Sequence, residues 1–152
     1  MRITTSAIIN KSPAQLWPLL CNSKMNLQTP CALRFFVPKP VECRLAESVD
    51  SVGTKRQCIS NRGSINQKIT LWQPPEALQF EMQDTDIYFG KCVTSIKESF
   101  TLEAVNIEQT KISRTTNFAV KGWLGWAKSI AICIGLKNVH WYVFKNWKQE
   151  IN

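Results

Sequence analysis

Between residues 41 and 120 apolar and polar positions alternate with the two-residue period of half-buried strands. Six segments carry the pattern: 41–48, 55–60, 65–72, 77–83, 92–105 and 110–120. They are separated by turn-forming residues at Asp50-Ser51-Val52-Gly53, Asn61-Arg62-Gly63, Gln73-Pro74-Pro75 and Asn106-Ile107-Glu108-Gln109. Short turns between strands predict an antiparallel meander. The period then changes. After Gly122-Trp123-Leu124-Gly125-Trp126 the chain predicts a proline-free helix over 124–149. At 100° per residue, Lys128, Ala131, Gly135, Asn138, Tyr142, Lys145 and Gln149 form a stripe expected to face solvent. The opposite arc holds Trp126, Ile130, Cys133, Leu136, Val139, His140, Val143, Phe144 and Trp147, wide enough to cover a sheet.

Ahead of the meander, residues 3–10 alternate weakly and predict a first strand. Ser12-Pro13-Ala14-Gln15 has an N-cap serine, proline at the first helical position and Gln three residues after the cap, so it predicts a helix start. Leu16, Trp17, Leu19 and Leu20 supply the buried side, and Pro18 keeps this helix short or bent. Residues 22–30 read as a second short helical turn and a loop. In 31–40 two prolines favour an extended chain, although Leu33, Phe35, Phe36 and Val37 are large and apolar.

Composition narrows the class. With 152 residues, 44% apolar and 20% charged, the chain is expected to fold as one domain, 1–152, around one core. No apolar run reaches the ~18–20 residues of a membrane span. The first residues lack the apolar core of a signal peptide, so the expectation is a cytoplasmic protein. Its six cysteines lie at least ten residues apart, which excludes close-paired zinc spacing. In a reducing cytosol they are expected to remain thiols used as small apolar fillers. The charge is +8, and residues 1–75 carry most of the excess. This is either a solvated basic surface or an attraction to something anionic, such as a membrane surface. No Lys/Arg stripe or zinc-finger spacing points to nucleic acid.

The order strand, two short helices, six strands and long helix resembles the START/Bet v 1-like (SRPBCC) superfamily, also called the polyketide cyclase/dehydrase and lipid transport superfamily. Three stretches carry the resemblance. They are Ser12-Pro13-Ala14-Gln15-Leu16-Trp17-Pro18-Leu19-Leu20, then Trp72-Gln73-Pro74-Pro75-Glu76-Ala77-Leu78-Gln79-Phe80, and Thr110 to Arg114 followed by Phe118. It implies an α+β helix-grip fold: a curved six- to seven-stranded antiparallel sheet wrapped around the C-terminal helix, with two short helices after the first strand. It also implies a hydrophobic cavity between sheet and helix. The superfamily spans lipid carriers, hormone- and allergen-type binding proteins, polyketide cyclase/aromatases, a coenzyme Q-binding branch and chaperone activators, so the site must decide among them.

Two charges interrupt apolar phases. Glu98 sits in the Ile96-Phe100-Leu102 phase of one strand, and Arg114 in the Ile112-Thr116-Phe118 phase of the next. His140 lies near the middle of the helix arc, beside Cys133, Phe144 and Trp147. If these faces enclose a cavity, Arg114 could hold a carboxylate or phosphate, His140 could move a proton, and Glu98 could orient His140. Equally, Glu98 and Arg114 could pair only with each other, and His140 could be a hydrogen-bonded core residue. The candidate ligand-binding set is Glu98, Arg114, His140, Phe100, Phe118, Cys133, Phe144, Phe35 and Phe36. No catalytic residue, metal or cofactor is assigned. Leu33-Phe35-Phe36 and Trp123-Leu124-Trp126, each with basic neighbours, either rim an entrance that touches a membrane or pack inward; packing is the expectation for Trp123 and Trp126. The expected function is binding or carriage of an apolar or amphipathic lipid- or polyketide-like molecule. The alternatives are a cyclase/aromatase, with His140 or Arg114 needed for turnover, or a protein-interaction module whose cavity is filled by Trp17, Trp72, Phe100 and Trp147.

Overall fold

The structure, a computed structural model, describes residues 1–25, 38–45 and 51–149. In chain order the elements are β1 (Arg2–Ile9), α1 (Pro13–Cys21), β2 (Ser23–Lys24), β3 (Pro40–Leu45), β4 (Lys55–Ser60), β5 (Gly63–Gln73), β6 (Ala77–Thr85), β7 (Val93–Asn106), β8 (Gln109–Val120) and α2 (Gly125–Gln149), with a 3₁₀ turn at Tyr88–Lys91. The strands form one antiparallel sheet in the order β1-β8-β7-β6-β5-β4-β3-β2. The α+β helix-grip architecture is as expected, but the sheet has eight strands rather than six or seven. The added strand is Ser23–Lys24, where the sequence suggested a helical turn. Two residues are too few to show alternation, and only their pairing with Cys43 and Glu42 defines them as a strand. Leu33, Phe35 and Phe36, and most of the second short helix, lie outside the described residues.

Local chemistry sets the element ends. Ser12 caps α1 in a reciprocal box: its Oγ accepts from the Gln15 N–H at 3.4 Å, and the Gln15 Oε1 accepts from the Ser12 N–H at 3.1 Å. Pro18 lies inside this helix, which ends after nine residues. Asn22 Oδ1 then accepts from the Leu45 N–H at 2.9 Å, tying the helix end to β3. In the β4–β5 turn Gly63 has φ +136°, and a Cβ there would collide with the Asp86 carboxylate, so this position requires glycine.

The core is built from Leu16 and Leu20 of α1, Ile69, Leu78, Phe80, Phe100 and Ile112 of the sheet, and Val139, Tyr142, Val143, Phe144 and Trp147 of α2. α2 packs chiefly on β1 and β8. Its buried residues all fall from Gly135 onward. Trp126 and Ile130 of the expected buried arc are therefore exposed, and Gly135 and Tyr142 of the expected solvent stripe are buried. A helical projection assumes that one neighbour runs the whole length of the helix, whereas burial here is confined to its second half. For the same reason Trp123 and Trp126 do not pack inward: they are 86% and 70% exposed.

The cysteine expectation fails for one pair. Cys43 and Cys58 stand opposite each other across β3 and β4 and form a disulfide. Their separation in sequence concealed a pairing that strand register creates. Cys21, Cys92 and Cys133 stand as thiols, and Cys31 lies outside the described residues.

Candidate functional site

A cavity of about 110 Å³ lies between the inner face of the sheet and the second half of α2. Its lining draws on every strand from β2 to β8, together with Leu136, Val139, Val143 and Trp147 of α2. Flat, those seven strands would extend over roughly 29 Å. One small cavity touching both β2 and β8 therefore requires the sheet to curl around the helix. The wall is mostly apolar, with Phe80 and Phe100 at 6.0 Å and Phe100 and Trp147 at 5.8 Å between ring centroids. Six polar residues interrupt it among the described residues: Ser23, Arg56, Ser60, Gln67, Glu98 and Arg114.

Glu98 and Arg114 are brought together. Alternation turns both inward, and register places Arg114 opposite Phe100, diagonal to Glu98. Arg114 Nε donates to one carboxylate oxygen at 3.0 Å and Nη2 donates to both, at 2.8 and 2.6 Å. The guanidinium carbon lies 5.3 Å from the Phe100 ring centroid. Both side chains are buried, and each satisfies the charge of the other.

His140 is fully buried, but it does not line the cavity. Thr5 Oγ1 of β1 lies 2.8 Å from Nδ1, and Thr116 Oγ1 of β8 lies 2.8 Å from Nε2. A neutral imidazole has one N–H and one bare nitrogen, so one hydroxyl accepts from it and the other donates to it. Burial first, and then the positive charge of Arg114, push the imidazole pKa down to about 2. The ring is neutral near pH 7. Its orientation comes from the two threonines and not from Glu98.

The other expected residues divide. Phe100 lines the cavity. Phe118 packs instead with Ile3, Val93 and Ile96 in a second cluster, and Cys133 lies against that cluster. Phe144 is buried in the main core, 6.1 Å from Trp147. On α2, Cys133, His140 and Phe144 lie outside the lining because its cavity-facing phase runs through Leu136, Val139, Val143 and Trp147, a part-turn away. Phe35 and Phe36 lie outside the described residues. Of the residues suggested as fillers, Phe100 and Trp147 line the cavity, while Trp17 and Trp72 pair edge-to-face at 5.1 Å elsewhere.

Sequence reasoning missed Arg56 and Gln67. Arg56 Nη1 donates to Gln67 Oε1 at 2.6 Å and to Cys58 Sγ at 2.9 Å, and Nη2 donates to the Leu20 carbonyl at 3.3 Å. The guanidinium carbon lies 4.4 Å from the centroid of the Phe80 ring. Burial, reinforced by Arg114 and opposed by Glu98 and Cys21, brings its pKa down to about 10, so it remains cationic at neutral pH. A signal existed: Gln67 interrupts the Ile65-Ile69-Leu71 phase as Glu98 interrupts its own. Arg56 lies in a short strand whose alternation is too weak to mark an inward charge.

No protein-family profile matches the chain, and no curated protein matches it. Solved structures do. A START superfamily protein from Mycobacterium smegmatis superposes with a TM-score of 0.69 at 8% identity, over 98% of this chain and 95% of that one. The major latex-like protein 151 of Panax ginseng gives 0.71 at 10%, over 99% and 96%. The ZhuI aromatase/cyclase from Streptomyces sp. R1128 gives 0.57 at 9%, over 81% and 70%. At such identities the likeness concerns the path of the backbone and not the residues of the site. The chain has the START/Bet v 1-like helix-grip fold, with a small cavity of its own lined by two arginines and one glutamate.

Proposed function

We propose that this protein binds or carries an apolar or amphipathic small molecule in the cavity between the sheet and α2. The observation that carries this reading is a mainly apolar cavity between sheet and helix that retains a few buried polar groups. A protein stabilised only for its own sake would gain by filling it. A cyclase reading would need a proton donor other than His140, whose nitrogens are both engaged. The test is native mass spectrometry of freshly purified protein beside its organic extract. A stoichiometric mass released by extraction supports carriage. A clean apo mass, with no small-molecule binding in a thermal-shift screen, refutes it.

We also propose that the protein touches anionic bilayers through the exposed face of α2 and the residues just before it. Trp123, Leu124, Trp126, Ile130, Ile134 and Trp141 are all exposed. No Asp or Glu occurs from Gln109 to Gln149, while Lys128, Lys137, Lys145 and Lys148 lie on α2 itself. Exposed aromatics flanked by cations suit the boundary between headgroups and acyl chains. No helix among the described residues is long and apolar enough to cross a membrane. Sedimentation should show binding to phosphatidylserine-containing vesicles, loss of binding with Trp126→Ser and Ile130→Ser together, and no binding to pure phosphatidylcholine. Equal binding to both vesicle types, or to neither, rejects the proposal. The cytoplasm is the proposed compartment, and the Cys43–Cys58 disulfide is the observation that weighs against it. Alkylation of Cys43 and Cys58 in freshly lysed cells tests it, because disulfides persist mainly in oxidising compartments.

A further inference from the structure

Four buried side-chain atoms have no hydrogen-bond partner among the described residues: Ser23 Oγ, Arg56 Nε, Trp147 Nε1 and Thr70 Oγ1. The first three belong to residues that line the one cavity described above. Arg56 Nε–H and Trp147 Nε1–H are donors only, and the Ser23 hydroxyl can donate as well. A buried donor left without an acceptor is uncommon and costly, so three around one small space call for a shared explanation.

The charges point the same way. Among the described residues the cavity lining holds two guanidiniums and one carboxylate. Arg114 occupies that carboxylate through its Nε and Nη2. Among the described residues, the hydrogen bonds of Arg56, which is 5% exposed, go to neutral groups: an amide oxygen, a sulfur and a backbone carbonyl; Glu98 acts on it through charge without a hydrogen bond. One positive charge is left over in a largely apolar space. Where Arg114 gives its Nε–H to Glu98, the buried Nε–H of Arg56 has no acceptor among the described residues.

We infer that the cavity selects a ligand with a single anionic, carboxylate-type head, received by Arg56 with Trp147 and Ser23 as auxiliary donors, and with a short apolar part against Phe80 and Phe100. The inference rests on reading the cavity as a binding site. A monoanion would cancel the one uncompensated charge and supply acceptors to donors that lack them. Size limits the enclosed part. An apolar cavity of about 150 Å³ accommodates benzene, so about 110 Å³ accommodates a somewhat smaller group. A longer molecule would have only its head enclosed.

The test compares sodium hexanoate with 1-hexanol by isothermal titration, on the full chain and on Arg56→Gln. These probes share a chain length and differ in the charge of the head. The expected result is that hexanoate binds at least about tenfold more tightly than hexanol to the unsubstituted protein. In Arg56→Gln the preference should collapse to near parity, with hexanol binding unchanged. Hexanol binding as tightly as hexanoate overturns the inference but leaves the cavity a binding site. If neither probe binds, nor their butyl and octyl homologues, the binding reading falls, and the inference with it. A folded Arg56→Gln that keeps the preference also overturns it. Should Arg56→Gln fail to fold, Trp147→Phe and Ser23→Ala replace it. Each must weaken hexanoate and spare hexanol, and an unchanged ratio in both overturns the assignment.

Discussion

His140 is the residue whose chemistry differs most from its apparent promise. Held between Thr5 and Thr116, it has a pKa near 2 in the folded chain, against about 6.5 when unfolded. Between those values the unfolded state binds one more proton, so stability rises with pH across that window. It is fully present above about pH 6.5 and is lost as the pH falls below that, approaching about 1.4 kcal/mol per pH unit. Urea midpoints at about pH 7 and about pH 5 should separate widely for the unsubstituted protein and less for His140→Gln; equal separations would refute this account of the ring. Glu98 makes a complementary case. Glu98→Gln leaves Arg114 beside Arg56 with no carboxylate in the cavity, a loss of roughly 3–5 kcal/mol. Adding Arg114→Met should recover part of it. A single variant as stable as its parent would mean that the pair contributes nothing to the fold.

α2 shows what a helix can and cannot reveal alone. Its length and its start were readable from the absence of proline and from the glycines before it. Its buried face was readable only in part, because Trp126 and Phe144 fall on the same apolar arc and end in opposite environments. The contrast is measurable. Trp126→Ala should shift stability by less than about 0.5 kcal/mol, whereas Phe144→Ala, in the main core, should cost about 3–5 kcal/mol. Similar costs at the two positions would mean that the first half of the helix is covered. β7 carries a smaller example. Its alternation predicts Glu98 and Phe100 inward, as observed, but a register shift between Val93 and Ser95 leaves Val93 buried and Thr94 exposed.

At the scale of the molecule, the cavity is what remains when a curled sheet closes on a helix and large aromatics almost fill the gap. Trp147 is the largest fully buried side chain and part of that wall. Trp147→Ala should destabilise the fold by about 3–5 kcal/mol. It should also enlarge the cavity enough to bind probes too large for the unsubstituted chain. A thermal-shift series with alkanes of increasing length reads both effects. Strong destabilisation with no change in the size limit would indicate that the wall collapses into the space.

The period-two strands, the capped first helix, the long last helix and the inward phase of Glu98 and Arg114 were all legible along the chain. Each of these follows from spacing and turn chemistry within a few residues. Tertiary packing is what sets Cys43 against Cys58, turns His140 toward two threonines and away from the cavity, and buries Arg56 against the Gln67 amide. Those outcomes depend on which distant strands become neighbours and on how sharply the sheet curls. Register and curvature are set by the packing of the whole chain, and no local pattern records them.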